Sequence, residues 1–160
     1  MSFTVANKIP AGIAAVGIAV ASEGALPKGV LLSRKTLEKL GFAGKVGQTY
    51  IVPADKGAIT ILVGVGENAK LTAETLRKAA AALARAASGF ESLATDLANA
   101  GRIDRKLAAQ VVVEGIALAS HRYTDLKTID KKATKLSEVT IVGVGAALTA
   151  GVKRGVVIAT

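Results

Sequence analysis

The sequence predicts an α/β sandwich, a mixed sheet covered by helices, and three observations support that prediction. Hydrophobic residues make up 51% of the 160 residues, which is enough to bury the core of one domain. Aromatic residues make up only 3%, so the core must consist of Ala, Val, Leu and Ile, whose small side chains let helices approach a sheet closely. The hydrophobic period also switches repeatedly between strand and helix, which favours this fold over a helical bundle.

The first part of the chain predicts one buried strand and one short helix. Residues 13–20 are almost entirely apolar and predict the strand. The Ser33 hydroxyl is suited to cap a short amphipathic helix that runs through Leu40. Gly41 follows, and glycine most readily takes the left-handed backbone conformation that ends many helices.

The middle of the chain predicts a hairpin followed by a long amphipathic helix. Residues 48–52 and 58–65 predict two strands joined by a turn. Thr72 is expected to open the helix, with Glu74 in its first turn. One stripe of this helix is apolar and should cover a sheet face: Leu76, Ala79, Ala80, Leu83 and Ala87. The basic residues should lie away from that stripe: Arg77, Lys78 and Arg85.

The remaining elements complete an order of β-α-β-β-α-β-α-β. Residues 90–97 predict a strand, and residues 139–144 predict a final strong strand. Between them, Asp104 is expected to cap a helix over residues 105–121. Because strands joined by a hairpin alternate with strands joined through helices, the sheet should contain both parallel and antiparallel pairs.

One apolar segment, residues 10–21, imitates a secretory signal peptide because it follows Lys8 and ends in Ala-Val-Ala. Glycine and alanine dilute the run, so a buried strand is the better interpretation. The run is also shorter than the roughly 18 apolar residues of a membrane span. The absence of cysteine excludes disulfides and suits a reducing compartment. We therefore expect a cytoplasmic protein without membrane contact.

The chain is strongly basic, with 21 Lys and Arg against 12 Asp and Glu and a net charge of +9. Such an excess is compatible with a polyanion partner such as DNA, whose binding releases counterions and weakens with salt. Two clusters are the candidate nucleic-acid contacts: Arg102, Arg105 and Lys106, and Lys127, Lys131, Lys132 and Lys135. No aromatic residues are interleaved with the lysines for base stacking, so a solvated basic face is the favoured interpretation and DNA contact is the alternative.

Two glycine pairs each follow a predicted strand, where backbone amides could hold a phosphate: Gly64 with Gly66, and Gly143 with Gly145. Neither pair continues into a complete Gly-x-Gly-x-x-Gly pattern, because Ala69 and Leu148 occupy the last position. Tight exits from the strands are therefore the favoured interpretation, and a nucleotide site is the minor alternative.

No pattern for catalysis or metal binding emerges from the residues themselves. His121 is the only histidine, and Glu114 lies about two helical turns before it, on the order of 10 Å away. That separation is too large for both to bind one metal. The carboxylates are scattered, with no constellation for acid-base or nucleophilic chemistry. We expect no catalytic residue, metal site or cofactor site in this chain.

The stretch from Gln110 to Lys127 resembles a family signature. Its matching residues are Glu114, Gly115, Leu118, Arg122, Asp125 and Lys127. They are similar to a pattern at the end of the amino-terminal domain of the leucyl (cytosol) aminopeptidases, peptidase family M17. Residues 61–66 and 71–80 also resemble the strand, Gly-x-Gly turn and alanine-rich helix midway along that domain.

The resemblance implies a fold and a function for the longer protein. The fold is a three-layer α/β/α sandwich with a mixed sheet, akin to macro domains. The activity is the release of amino-terminal residues from peptides by two divalent metals, zinc or manganese, in a separate catalytic domain. The domain resembled here is non-catalytic and belongs to a hexamer. Arg122 and Asp125 are expected to brace Tyr123 as an ion pair, or to contact a neighbouring domain.

Residues 1–150 are accordingly expected to form one non-catalytic amino-terminal domain. Residues 151–160 resemble the start of a linker helix to a catalytic domain, whose metal-binding motif does not occur in this sequence. The expected role is assembly or regulation within a peptidase. The alternative is a free-standing basic domain of macro-like fold that binds nucleic acid or a nucleotide.

Overall fold

The computed structural model describes residues 1–121 and 134–160, in which one mixed sheet separates two layers of unequal thickness. The strands are β1 (Ser2–Ala6), β2 (Ala15–Ala21), β3 (Thr49–Val52), β4 (Ile59–Gly66), β5 (Ser92–Thr95) and β6 (Glu138–Val142). The helices are α1 (Arg34–Lys39), α2 (Ala73–Ala86), α3 (Arg105–Ser120) and α4 (Ala146–Ala159). The α/β class and the mixed sheet predicted from the sequence are confirmed.

The sheet has the order β1-β6-β5-β2-β4-β3. All neighbours are parallel except β3, which runs antiparallel to β4 and forms the predicted hairpin. In this register Gly17 of β2 lies beside Ile61 of β4 and Thr95 of β5. Because five strands are parallel, their carboxyl ends lie along one edge of the sheet.

The thick layer consists of α2, α3 and α4 on one face of the sheet. The predicted stripe of α2 is fully buried there, packed with Ile61, Val63, Leu93 and Ile141 of the strands. Helix α3 lies between α2 and α4, and glycines permit both close approaches. A Cβ on Gly115 would come within 2.5 Å of the Arg77 carbonyl oxygen of α2, and a Cβ on Gly151 would overlap Lys106 of α3.

The thin layer, on the opposite face, consists of α1 and the loops around it. Its core is a smaller cluster of Val20, Leu37, Phe42 and Leu62. Arg34 ties α1 to the end of β2, because its guanidinium donates hydrogen bonds to the carbonyls of Ala21 (3.1 Å) and Gly24 (2.8 Å). This layer covers mainly the β2, β4 and β3 half of the sheet.

The predicted helix ends are confirmed. The side chains of Ser33, Thr72 and Asp104 accept hydrogen bonds from the first turns of α1, α2 and α3. Gly41 has a φ of 86°, the left-handed conformation expected after α1. His121 is the carboxyl cap of α3, where its backbone amide donates to the Ala117 carbonyl. Local sequence therefore determined where α1, α2 and α3 begin.

The structure corrects the predicted element list in three places. Strand β5 is shorter than the predicted residues 90–97, because Leu97 starts a turn of 3-10 helix. Strand β1 was missed because it has only five residues and is half exposed, and because its partner β6 is distant in sequence. Helix α4 begins at Ala146, before the predicted start at residue 151, because the chain turns at Gly145 and packs against α3 at once. Among residues 1–121 and 134–160, no helix is long and apolar enough to cross a lipid bilayer.

Candidate functional site

The carboxyl edge of the sheet is the candidate site, because ligands of open α/β sheets bind where neighbouring strands diverge at this edge. Strands β2 and β5 pair up to Gly17 and Thr95 and then separate. Asp96 comes directly after that point. Its Oδ1 accepts a hydrogen bond from the backbone amide of Ala19, at a long 3.4 Å. A carboxylate therefore lies in the opening between two strands.

The bend that positions Asp96 is held by the preceding residue. The buried Thr95 hydroxyl donates to the Gly17 carbonyl across the strands at 3.0 Å and accepts from the Leu97 amide at 3.2 Å. These two bonds end β5 and start the single turn of 3-10 helix over Leu97–Asn99. As a result, the Asp96 side chain is directed away from the helical core and toward the thin layer.

Burial makes the Asp96 carboxylate unusual in its electrostatics. Desolvation raises the pKa of Asp96, and the hydrogen bond from the Ala19 amide opposes that rise only in part. Within the described ranges no basic side chain forms an ion pair with it. A half-buried carboxylate of this kind is stabilised by a ligand that brings a positive charge or hydrogen-bond donors.

Asp96 and Pro27 line two neighbouring cavities. The first has a volume of about 270 Å³, and its walls are mainly aliphatic, with Lys28 at the rim: Ile9, Val16, Gly17, Ile18, Pro27, Lys28, Gly29, Thr95, Asp96 and Val142. We call it the Asp96 cavity. The second, of about 210 Å³, is more polar and includes Asn68 and Asn99. The loop that carries Pro27 thus covers the divergence of β2 and β5.

The raised pKa predicts how stability depends on pH at this site. Because the folded state binds the Asp96 proton more tightly than the unfolded chain, this contribution to stability is present below the unfolded pKa. It is lost as the pH rises through the folded pKa. Asp96→Asn removes the buried charge, so we expect it to raise the free energy of unfolding at pH 7 and to have little effect in acid. Urea unfolding of the native protein and of Asp96→Asn, from acid to pH 7, measures this effect. A difference in the free energy of unfolding that is the same at every pH would contradict it.

The predicted basic cluster at the start of α3 is exposed. Arg102, Arg105, Lys106 and, farther along, Lys135 all lie at the surface. Arg105 hydrogen-bonds Asn99, whose side-chain amide donates to the Val142 carbonyl at 3.0 Å. Arg102 lines a broad depression of about 790 Å³ beside the carboxyl edge. Exposure is compatible with nucleic-acid contact, which stays a prediction.

The other predicted site residues lie outside the described residues. They are the basic residues Lys127, Lys131 and Lys132, and the proposed domain contacts Arg122, Tyr123 and Asp125. Their assigned roles stay predictions.

The glycine pairs have structural explanations. A Cβ on Gly64 would overlap the backbone of Gly44 and Lys45, so the first pair lets a loop pack against β4. In the second pair, Gly143 lies close to Leu148 and Asn99, and Gly145 starts α4 with a φ of 107°. The close packing at Gly64 supports the interpretation of that pair as a tight strand exit.

Glu114 has a structural partner that the sequence did not reveal. Its carboxylate accepts hydrogen bonds from Arg77 of α2 at 2.8 and 3.1 Å and from Gln110 at 2.8 Å. Only 8% of its side chain is exposed. The hydrogen bond to Glu114 is the main reason that the pKa of Arg77 is raised. In the part of the chain that the structure describes, no three His, Asp or Glu residues could hold a metal ion together.

Sequence reasoning missed Asp96, Lys28 and the Arg77–Glu114 pair. One signal for Asp96 was available, because an acidic residue that directly follows a buried strand of a mostly parallel sheet lies at the ligand-binding edge. Lys28 and Arg77 carried no local signal, since their partners are distant in the sequence.

Comparison of the sequence and the structure with those of known proteins places the chain in a family. A family model described as the N-terminal domain of the cytosol aminopeptidase family matches residues 26–130. A probable cytosol aminopeptidase of Corynebacterium diphtheriae is 34% identical over 112 residues, which are 68% of this chain and 21% of that protein. This chain therefore spans about a fifth of that relative's length.

Two solved structures share the architecture. The bottromycin maturation enzyme BotP in complex with Mn has a TM-score of 0.72 at 28% identity, over 92% of this chain and 30% of its own. A mutant of tomato leucine aminopeptidase has a TM-score of 0.73 at 17% identity, over 99% of this chain and 36% of its own, which shows the fold alone. Because the family model covers well over half of the chain, the protein belongs to the cytosol aminopeptidase family through its N-terminal domain.

Proposed function

We propose that this chain is the non-catalytic amino-terminal domain of a longer cytosol aminopeptidase, in which it serves assembly or regulation. The observation that carries the proposal is the match of residues 26–130 to a family model for an N-terminal domain. The relative from Corynebacterium diphtheriae, of which the chain covers 21%, supports a protein with further domains. On this proposal the whole protein acts in the cytoplasm and releases amino-terminal residues from peptides.

Peptide hydrolysis is assigned, in this proposal, to a separate catalytic domain. Two zinc or manganese ions there would activate a water molecule and polarise the scissile carbonyl. The complex of BotP with Mn supports manganese as one such metal. The described residues of this chain do not form a metal-ligand cluster, so we derive no catalytic step from them.

The end of α4 supports a role in assembly. Val157 and Ile158 are 76% and 52% exposed, on a helix whose other side packs against α3. Contiguous exposed apolar patches mark interaction surfaces, and Val156 adjoins these two residues as a third exposed aliphatic side chain. We propose that the catalytic domain of the same protein covers them, and that the assembled protein is a hexamer.

The test is association with the catalytic domain, encoded downstream in the reading frame and produced as a separate chain. We expect the two to elute together in size-exclusion chromatography. Val157→Asp should weaken that association at least tenfold, because it introduces a charge where an apolar contact forms. Leu31→Asp is the matched control, since Leu31 is fully exposed in the thin layer on the opposite face.

Two outcomes contradict the proposal. One is a reading frame without a metal-binding domain, and the other is equal association of both variants with the catalytic domain.

Duplex DNA on the same column, at low and moderate salt, tests the nucleic-acid alternative. Salt-sensitive coelution with DNA would favour the exposed basic cluster of Arg102, Arg105 and Lys106 as the functional surface.

A further inference from the structure

We propose that the Asp96 cavity binds a free aliphatic amino acid, with Asp96 as the partner of its ammonium group and Lys28 as the partner of its carboxylate. The cavity lies at the carboxyl edge of the sheet, beneath the loop that carries Pro27. Three features of the described residues identify this class of ligand: the charges, the walls and the size.

The charges of the cavity match a zwitterion. Asp96 is the acidic residue of the lining and Lys28 is the basic one. Asp96 is half-buried, and the Ala19 amide is a distant donor to its Oδ1 at 3.4 Å, so this carboxylate can accept a further, stronger hydrogen bond. An ammonium group that hydrogen-bonds this carboxylate supplies the missing positive charge. Lys28 is exposed at the rim, where it can reach an anionic group at the cavity mouth.

The walls match an aliphatic side chain. The side chains of Ile9, Val16, Ile18 and Val142 line the cavity together with Pro27. Gly29 lies against Ile18, where a Cβ would come within 2.7 Å of its Cδ1, so the loop covers the aliphatic surface closely. Apolar walls with a few convergent polar groups are typical of small-molecule sites. Among the residues that the structure describes, none of those lining the cavity is an aromatic residue that could stack on a nucleobase.

The size selects a small molecule. The cavity volume of about 270 Å³ lies below the roughly 300–1,000 Å³ of pockets for drug-sized ligands. It therefore suits a single amino acid better than a dinucleotide or a peptide. Asp96 and Lys28 provide one charged group each, and the walls between them are aliphatic. This arrangement favours leucine, isoleucine or valine over polar amino acids.

Binding at this cavity has a regulatory consequence that rests on the proposed function. An aminopeptidase that releases aliphatic residues produces this ligand, so its amino-terminal domain would sense the product. The binding proposal does not require that consequence, because the cavity belongs entirely to this chain.

The test is titration of the isotopically labelled 160-residue chain with L-leucine, followed by nuclear magnetic resonance. We expect saturable shifts of the backbone amides of Val16, Ile18 and Val142 in the millimolar range. Isoamylamine lacks the carboxylate, and 4-methylpentanoate lacks the ammonium group. The amine should bind about twofold to fivefold more weakly than leucine, because Lys28 is exposed. The acid should bind at least tenfold more weakly, because Asp96 would then face no cation.

A pair of variants assigns the binding to Asp96. Asp96→Asn should weaken leucine binding about tenfold. Asp55→Asn removes the same charge from the exposed β3–β4 turn and should leave the affinity unchanged. The ligand series keeps the proposal testable on the native chain even where Asp96→Asn alters folding.

Three results would overturn the proposal: no saturable shift with millimolar leucine, shifts that map away from the cavity, or equal binding of leucine and 4-methylpentanoate. These failures are distinct from failure of the proposed function. Leucine can bind to this chain when no catalytic domain associates with it, and a catalytic domain can associate when leucine does not bind.

Discussion

Gly64→Ala is expected to lower the free energy of unfolding by about 3 kcal/mol, at the upper end of the range for overpacked cores. A Cβ at this position would overlap the carbonyl of Lys45 and come within 2.6 Å of the Gly44 carbonyl carbon. These obstacles are backbone atoms, which cannot move aside by changing a rotamer. The new methyl group must therefore displace the loop from β4.

Hydrogen bonds make that displacement costly. The Gly64 amide donates to the Gln48 carbonyl at 2.8 Å, and the Gly47 amide donates to the Gly64 carbonyl at 3.1 Å. The Gly66 amide donates to the Gly44 carbonyl at 2.9 Å. Moving the loop stretches all three bonds at once, in a strand that is buried on both faces.

Gly89→Ala is the matched control, because a Cβ there meets no atom of the described residues within 4 Å and its φ lies outside the left-handed region. We expect a change of less than about 0.5 kcal/mol. Urea unfolding followed by circular dichroism measures both variants. Equal stabilities of the two variants would show that the packing of Gly44 and Lys45 against β4 is not tight in solution.

Arg77→Met is expected to destabilise the protein by about 2 kcal/mol, because it leaves the buried Glu114 carboxylate without its cation. Removal of one partner from a fully buried pair costs about 3–5 kcal/mol. The expectation here is smaller, since the Arg77 side chain is 35% exposed and water can reach the site. Gln110 remains as one hydrogen-bond donor to Glu114.

A double-mutant cycle separates this effect from lost packing. Glu114→Leu should destabilise less, by about 1 kcal/mol, because Arg77 keeps its 2.8 Å ion pair with Glu74 and its contact with solvent. The double variant, Arg77→Met with Glu114→Leu, should be about as stable as Glu114→Leu alone. Thermal or urea unfolding of the four proteins gives the coupling free energy. Strictly additive effects would mean that the two side chains do not interact in solution.

Much of the fold was predictable because its signals are local. The caps at Ser33, Thr72 and Asp104, and the turn at Gly41, depend on residues within one helical turn of each other. The apolar stripe of α2 likewise follows from the period of one segment. Strand β1 was not predictable in this way, because its hydrogen bonds are made to β6, far along the chain.

The candidate site was less predictable than the fold. The basic residues Arg102, Arg105 and Lys106 were identified from charge alone; the structure places them at the surface, and their contact with nucleic acid stays a prediction. Asp96 was missed because its importance depends on where β2 and β5 diverge, which the sheet order decides. Lys28 was missed because only the path of the loop over β2 brings it to the same cavity.

The sequence by itself determined the α/β class, the limits of α1, α2 and α3, and the aminopeptidase family resemblance, because these rest on short-range patterns of residues. Only the tertiary structure decided the strand order, the approach of α3 to its neighbouring helices and the pairing of Arg77 with Glu114. It also decided that Asp96 lies in an opening between strands. The physical reason is that each of these features depends on contacts between segments that are distant in sequence. Packing of the chain brings those segments together, and no local pattern of residues encodes their contacts.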